Sequence, residues 1–188
     1  VAEVAGSIVE EGSTNASGWL DLILYTAEYT IKVYWQGVQV AAVSFQPTAP
    51  SHLTINCSVY DPVFMILDHT REPLELAWVF LDFPNGSQAP MPIVTATDGR
   101  IDLLQASAGS YRLVVFWRDV EVANATLLVD SDGPFELQTL VFRLEAQSLD
   151  YNQRPVEGTY VTSRAENGLI LGFEVTDTRG AALFKLPI

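Results

Sequence analysis

Cysteine is nearly absent from this chain of 188 residues: Cys57 stands alone, so no disulfide can form within the chain and thiol content does not report its compartment. Histidine is almost as scarce. His52 and His69 lie far apart, with no Ser, Cys or Asp arrangement around them that would activate a nucleophile. Cations are few, 10 Lys and Arg against 23 Asp and Glu, and the net charge of -13 excludes a phosphate-backbone partner, so no nucleic acid is expected. No run of about 20 apolar residues occurs, which excludes a helical membrane span, and the first residues lack a charged-then-apolar leader. Any secretory leader is expected to have been removed already. Helical periodicity is also hard to find.

The acidic residues offer no catalytic pair. Glu10 with Glu11, and Asp98 with Asp102, fall in turns or on solvent-facing parity, where nothing raises a carboxyl pKa for acid catalysis. The run Asp130-Ser131-Asp132-Gly133 with Glu136 resembles a fragment of a calcium loop, but the remaining ligands are missing, and it reads as a linker turn. The expectation is a non-enzymatic protein with no cofactor and no metal.

What the chain has is self-similarity. At an offset of 82 residues, Tyr29 matches Tyr111, Val33 matches Val115, Trp35 matches Trp117, Val38 matches Val120 and Val40 matches Val122. A second block pairs Val59 with Val141, Leu67 with Leu149, Asp68 with Asp150, Pro73 with Pro155, Val79 with Val161, Asn85 with Asn167, and Gly86 with Gly168. At an offset of 81, Gly18, Gly99 and Gly180 align. Periodicity of this length marks a tandem array of supersecondary units. Residues 1–45 match the C-terminal part of a unit, 46–130 a complete one, and 131–188 the N-terminal part of a third.

Period-two alternation runs through these units. Tyr29, Ile31, Val33 and Trp35 share one face, as do Tyr111, Leu113, Val115 and Trp117, and both tryptophans are expected in the core. A strand is likewise read across His52–Tyr60, with Cys57 on its buried side. Turn signals at Asn85-Gly86, Asp98-Gly99, Ala108-Gly109, Asp132-Gly133-Pro134 and Asn167-Gly168 divide the chain into short strands, as in an antiparallel β-sandwich. Parity switches after Val40 and after Val122, which predicts β-bulges near Ala41-Ala42 and Ala123-Asn124.

The run Thr97-Asp98-Gly99-Arg100-Ile101-Asp102-Leu103, followed by Ala108-Gly109-Ser110-Tyr111-Arg112-Leu113-Val114-Val115, resembles the closing half of carboxypeptidase-regulatory-like, or prealbumin-like, domains. Val141–Asp150, Arg154–Val161 and Thr176–Phe184 resemble the opening strands of the same family. The resemblance implies seven-stranded immunoglobulin-like sandwiches, usually non-catalytic, strung along secreted and cell-surface proteins that include archaeal surface-layer proteins. The fold class expected is therefore all-β: tandem immunoglobulin-like antiparallel sandwiches whose terminal copies are incomplete.

Four of the six asparagines stand in Asn-x-Ser/Thr: Asn15, Asn56, Asn85 and Asn124. With 26 Ser and Thr in the chain, chance supplies about one such match. The excess points to N-linked glycans on an extracellular protein. Half-sandwiches at both ends leave strand edges that three arrangements can complete: the two ends of one chain meeting, the front of one molecule on the back of the next, or further repeats of a longer array. Together these features predict a glycosylated subunit of a surface filament or layer whose partners are other copies of itself. The competing expectation is an adhesive or carbohydrate-binding module, for which an exposed aromatic platform at Trp19 or Trp78 would be the mark.

Overall fold

The computed structural model describes residues 1–164 and 168–187, and among them all regular structure is β-strand. Asn167, half of one predicted turn, lies outside the described residues.

Four strands form the first sheet, in the order β2-β1-β3-β4: β1 (Ala2–Val4), β2 (Ser7–Glu10), β3 (Tyr29–Trp35) and β4 (Val38–Phe45). Gln36 and Gly37, both at positive φ, join β3 to β4 by the two-residue turn whose twist suits a hairpin. Val33 faces Ala41 but Tyr34 faces Gln39, leaving Val40 as the extra residue of a bulge. Val40 is buried at the bulge, and beyond it Val43 and Phe45 face the small core. The cluster on this side is small. Ala2, Tyr29 and Ile31 are buried, covered by Leu22, Leu24 and Ile55 from segments that belong to no strand.

The central region has two full layers. Its strands are β5 (Val59–Tyr60), β6 (Val63–Leu67), β7 (Trp78–Asp82), β8 (Ile93–Val94), β9 (Arg100–Asp102), β10 (Ala106–Ser107), β11 (Gly109–Trp117), β12 (Val120–Val129) and β13 (Phe135–Gln138). One sheet runs β12-β11-β7-β8 and the other β13-β6-β9, with β10 and β5 paired beside them. Between the layers lie Phe64, Ile66, Val79, Leu81, Tyr111, Leu113 and Val115. Burying each contributes about 1.5–3 kcal/mol. β11 and β12 repeat the hairpin design of β3 and β4, with Arg118 and Asp119 at positive φ in the turn and Val122 as the bulged residue. Both bulges exist at matching places, centred slightly earlier in the chain than the parity switch suggested. One pairing departs from the antiparallel expectation: β13 runs parallel to β6, with Phe135 opposite Phe64 and Leu137 opposite Ile66.

The last four strands form two separate pairs: β14 (Val141–Gln147) with β17 (Ala181–Pro187), and β15 (Tyr160–Arg164) with β16 (Ile170–Val175). β14 on β17 reproduces β6 on β9, since Ala146 faces Ala182 where Phe64 faces Ile101.

Two sequence expectations fail in the first region. Only Val59–Tyr60 of the predicted strand His52–Tyr60 is a strand, and Cys57 is exposed rather than in the core. Trp35 is 39% exposed, whereas Trp117 is 7% exposed. Both departures have one physical cause. Alternation fixes which way a side chain points, but burial needs a second sheet on that side, and the first region has only loops there.

Candidate functional site

The four predicted glycan acceptors are all exposed, and their side chains are engaged to different degrees. Asn15 opens a tight turn: its Oδ1 accepts the N–H groups of Ser17 at 2.9 Å and Trp19 at 3.0 Å, which leaves Nδ2 unpaired among the described residues. Asn56 lies in the irregular segment before β5 rather than on a strand, and its side chain makes no hydrogen bond among the described residues. Asn85 bridges two regions. Its Nδ2 donates to the Gln36 carbonyl at 2.8 Å while its Oδ1 accepts from the Ser87 N–H and hydroxyl. Asn124 projects from β12, accepting from Arg112 Nε at 3.1 Å and donating to Glu121 at 3.4 Å.

The junction between the central sandwich and the last strands is built on a carboxylate that the sequence patterns do not single out. Asp68 follows β6 and is fully buried. Its Oδ1 accepts from the Thr70 N–H, the Thr70 hydroxyl and the Glu72 N–H, closing a turn, while Oδ2 faces Arg143 Nε at 3.4 Å and Lys185 Nζ at 3.3 Å. Burial pushes this carboxyl up, but the Thr70 hydroxyl, the Glu72 N–H, the Lys185 ammonium and the Thr70 N–H outweigh it and hold the group at about 2. Arg143 and Lys185 sit on β14 and β17, so the charge pair ties one region to the next. Beside it, the His69 ring lies 4.2 Å from Phe142, and the Gln138 amide donates to the His69 carbonyl. Asp150 builds the same turn, accepting from the Asn152 and Arg154 N–H groups, and has no cation on its carboxylate among the described residues.

A shallow aromatic groove of about 590 Å³ opens beside the β11–β12 turn, lined by Leu76, Trp78, Phe80, Phe116, Trp117 and Arg118. Trp78 is 52% exposed and Trp19 is 58% exposed. The Arg118 guanidinium lies 4.3 Å over the Trp117 ring. Tyr160, matched to Trp78 by the offset, stacks on Phe173 at 5.5 Å on an open surface. Asp132 is engaged within the central sandwich, its Oδ1 accepting the Asp61 N–H and its carbonyl the Val63 N–H.

Several strand edges are open. Among the described residues β14 has a strand ladder only with β17, and its other edge accepts the His69 N–H at the Val141 carbonyl. Residues 11–28 and 46–58 belong to no strand, and the second segment meets β4 where the Ser58 N–H donates to the Val40 carbonyl at 2.9 Å.

The chain matches no protein-family model and no curated protein. Among solved structures it is similar to the Bacillus anthracis TIE protein, at 21% identity and a TM-score of 0.38, covering 86% of this chain and 33% of that one. It is also similar to a streptococcal ancillary pilin, at 12% identity and a TM-score of 0.34, covering 87% of this chain and 64% of that one. The chain thus spans about a third of the first protein and under two thirds of the second.

Proposed function

We propose that this chain is a non-enzymatic structural subunit of an extracellular surface assembly, a filament or a layer of the archaeal surface-protein kind, which polymerises by strand complementation between copies. The observation that carries the reading is the contrast in strand pairing. A complete sandwich is flanked on one side by a single sheet covered only by loops, and on the other by two strand pairs that share no ladder among the described residues. Unpaired edges carry backbone donors and acceptors that water satisfies less well than a neighbouring strand, and they template addition. The last strand pairs also leave Leu144, Ile170, Phe173 and Leu183 exposed, apolar surface that a free monomer rarely shows in such density. A front that fits a back repeats without closing, so the product is a fibre or sheet rather than a ring.

N-linked glycans at Asn15, Asn56, Asn85 and Asn124 belong to the same reading. They would coat the solvent side and keep strand edges from pairing at random. The test is electron microscopy and sizing of the purified chain with and without denaturant. Polymers that dissolve only on unfolding support it, and a monomer at every concentration refutes it.

A second reading rests on Trp78 and its groove, which has the exposed aromatic platform a sugar ring stacks on. Quenching of tryptophan fluorescence by oligosaccharides, lost in Trp78→Ala, would favour that adhesive role.

A further inference from the structure

The sheet β12-β11-β7-β8 presents two unlike faces. Its inner face holds Val79, Leu81, Leu113 and Val115 in the core. The outer face of such a sheet is ordinarily polar, but toward the β11–β12 turn this one is aromatic. Register places Val94, Trp78, Phe116 and Glu121 in one row across the four strands, and Phe80, Val114 and Asn124 in the next. Phe80 and Phe116 meet edge to face at 5.6 Å, and Trp78 stays 52% exposed. A third row, Asp82, Arg112 and Thr126, is polar and carries the Arg112–Asp82 ion pair at 3.5 Å.

Asn124 therefore stands on the aromatic face, and its amide is already aimed along it. Oδ1 accepts the Arg112 Nε–H at 3.1 Å, on the side of the polar row, while Nδ2 donates to Glu121 at 3.4 Å, on the side of the β11–β12 turn. That turn is where the groove opens, lined by Trp78, Phe80, Phe116 and Trp117. An N-linked sugar leaves from Nδ2, so a glycan on Asn124 sets out toward the groove. Phe80 lies two strand spacings away, about 10 Å, within reach of the first residues of an oligosaccharide. The hairpin of β3 and β4 supplies a comparison within the chain. It has the same turn and bulge, but Lys32 stands in the place of Val114, and Ala42, directly opposite it, in the place of Asn124. The apolar residue and the acceptor are paired on one hairpin, and both are replaced on the other.

From this juxtaposition we infer that the aromatic face of the central sandwich is the seat of the chain's own Asn124-linked glycan. The inference rests on glycosylation as read above, and it gives the groove beside Trp78 a tethered occupant. The C–H face of a sugar ring packs on an aromatic ring, a contact too weak to hold most free sugars. Tethering supplies the sugar at an effective concentration on the order of millimolar, which populates such a contact and covers apolar surface that is otherwise exposed. The rim of the groove selects the chemistry. Glu75 and Asp119 line it and Glu121 ends the Trp78 row, while the Arg118 guanidinium is engaged by the Trp117 ring and the Leu171 carbonyl. These three carboxylates repel acidic sugars and accept hydroxyl groups, so the seated residues are neutral hexoses or N-acetylhexosamines.

Hydroxyl-radical footprinting, resolved by residue with mass spectrometry, tests this on the full chain secreted from a host that attaches N-linked glycans. Thr126→Ala removes the acceptor motif and keeps Asn124 with its hydrogen bonds. With the glycan seated about two thirds of the time, Trp78 and Phe80 label roughly threefold more slowly in the wild type than in Thr126→Ala. Trp19, comparably exposed at 58%, labels alike in both. A second arm separates contact from crowding. The glycan raises the melting temperature of the wild type above that of Thr126→Ala, and in a Trp78→Ala background that shift falls by more than half. Equal labelling with Asn124 occupied, or an undiminished shift in Trp78→Ala, overturns the seat and leaves glycosylation intact. So does a bare Asn124 in a chain that carries glycans at Asn15, Asn56 or Asn85. A chain without a glycan at any of the four overturns both.

Discussion

β3 and β11 carry nearly the same pattern and meet different fates. Tyr111, Leu113, Val115 and Trp117 are all buried between two sheets, while on β3 burial fades from Tyr29 and Ile31 to a half-buried Val33 and an exposed Trp35. The two strands share alternation, hairpin turn and bulge position, so local sequence does not account for the difference. It comes from the opposite layer, which is a three-stranded sheet over β11 and a pair of loops over β3. A strand pattern is thus an instruction about facing, and the energy it yields depends on what is supplied across the gap.

The two tryptophans offer the largest test. Trp117 packs in the core and donates its indole N–H to the Glu75 carbonyl at 3.2 Å, and Trp117→Ala is expected to cost about 3–5 kcal/mol in urea unfolding. Trp35 donates to the Gln105 carbonyl at 2.6 Å from an exposed position, and Trp35→Ala should cost only about 1 kcal/mol. Equal costs would mean that the first sheet is as well covered as the central one.

The in-phase glycines sharpen the contrast. Gly99→Ala forces a Cβ onto the Ile66 carbonyl and should cost about 3 kcal/mol, whereas Gly18→Ala incurs only the left-handed backbone penalty of about 1 kcal/mol, both read from denaturation midpoints.

Acid should weaken the Asp68 junction. Asp68 titrates at about 2 when folded, below the value near 4 of an unfolded chain. Its contribution, about 2 kcal/mol, is therefore fully present above pH 4 and is lost as pH falls toward 2. Asp68→Asn should flatten the stability curve in that window, which thermal melts across the range would reveal.

The smallest expected difference concerns hydroxyls. Tyr111 donates to the Ser107 carbonyl at 2.9 Å in a buried site, and burial raises its pKa. Tyr111→Phe should cost about 1 kcal/mol, and Tyr29→Phe, whose hydroxyl has no partner among the described residues, close to none by the same melts.

Much of this architecture is legible in the sequence alone. Alternation identifies β3 and β11, glycine and asparagine mark the turns, and a switch of parity locates both bulges to within two residues. The failures cluster in His52–Ser58 and at Trp35. Each of these residues has the composition of a buried strand, and each lacks the neighbour that would make it one, information that is non-local by nature. Asp68 does not read as a junction because its partners, Arg143 and Lys185, lie 75 and 117 residues further along the chain. For the candidate site, the four acceptor motifs are visible as motifs. The engagement of Asn85 with Gln36 emerges only from tertiary structure.

The parallel seating of β13 on β6 also has a mechanical meaning. Tension entering at the start of β6 and leaving at the end of β13 pulls along the two strands in opposite directions, so their four residue pairs are loaded in shear and must fail together rather than unzip one at a time. A tether built this way resists stretching far better than its modest length suggests, and single-molecule pulling on the chain should record the central sandwich as the last region to yield.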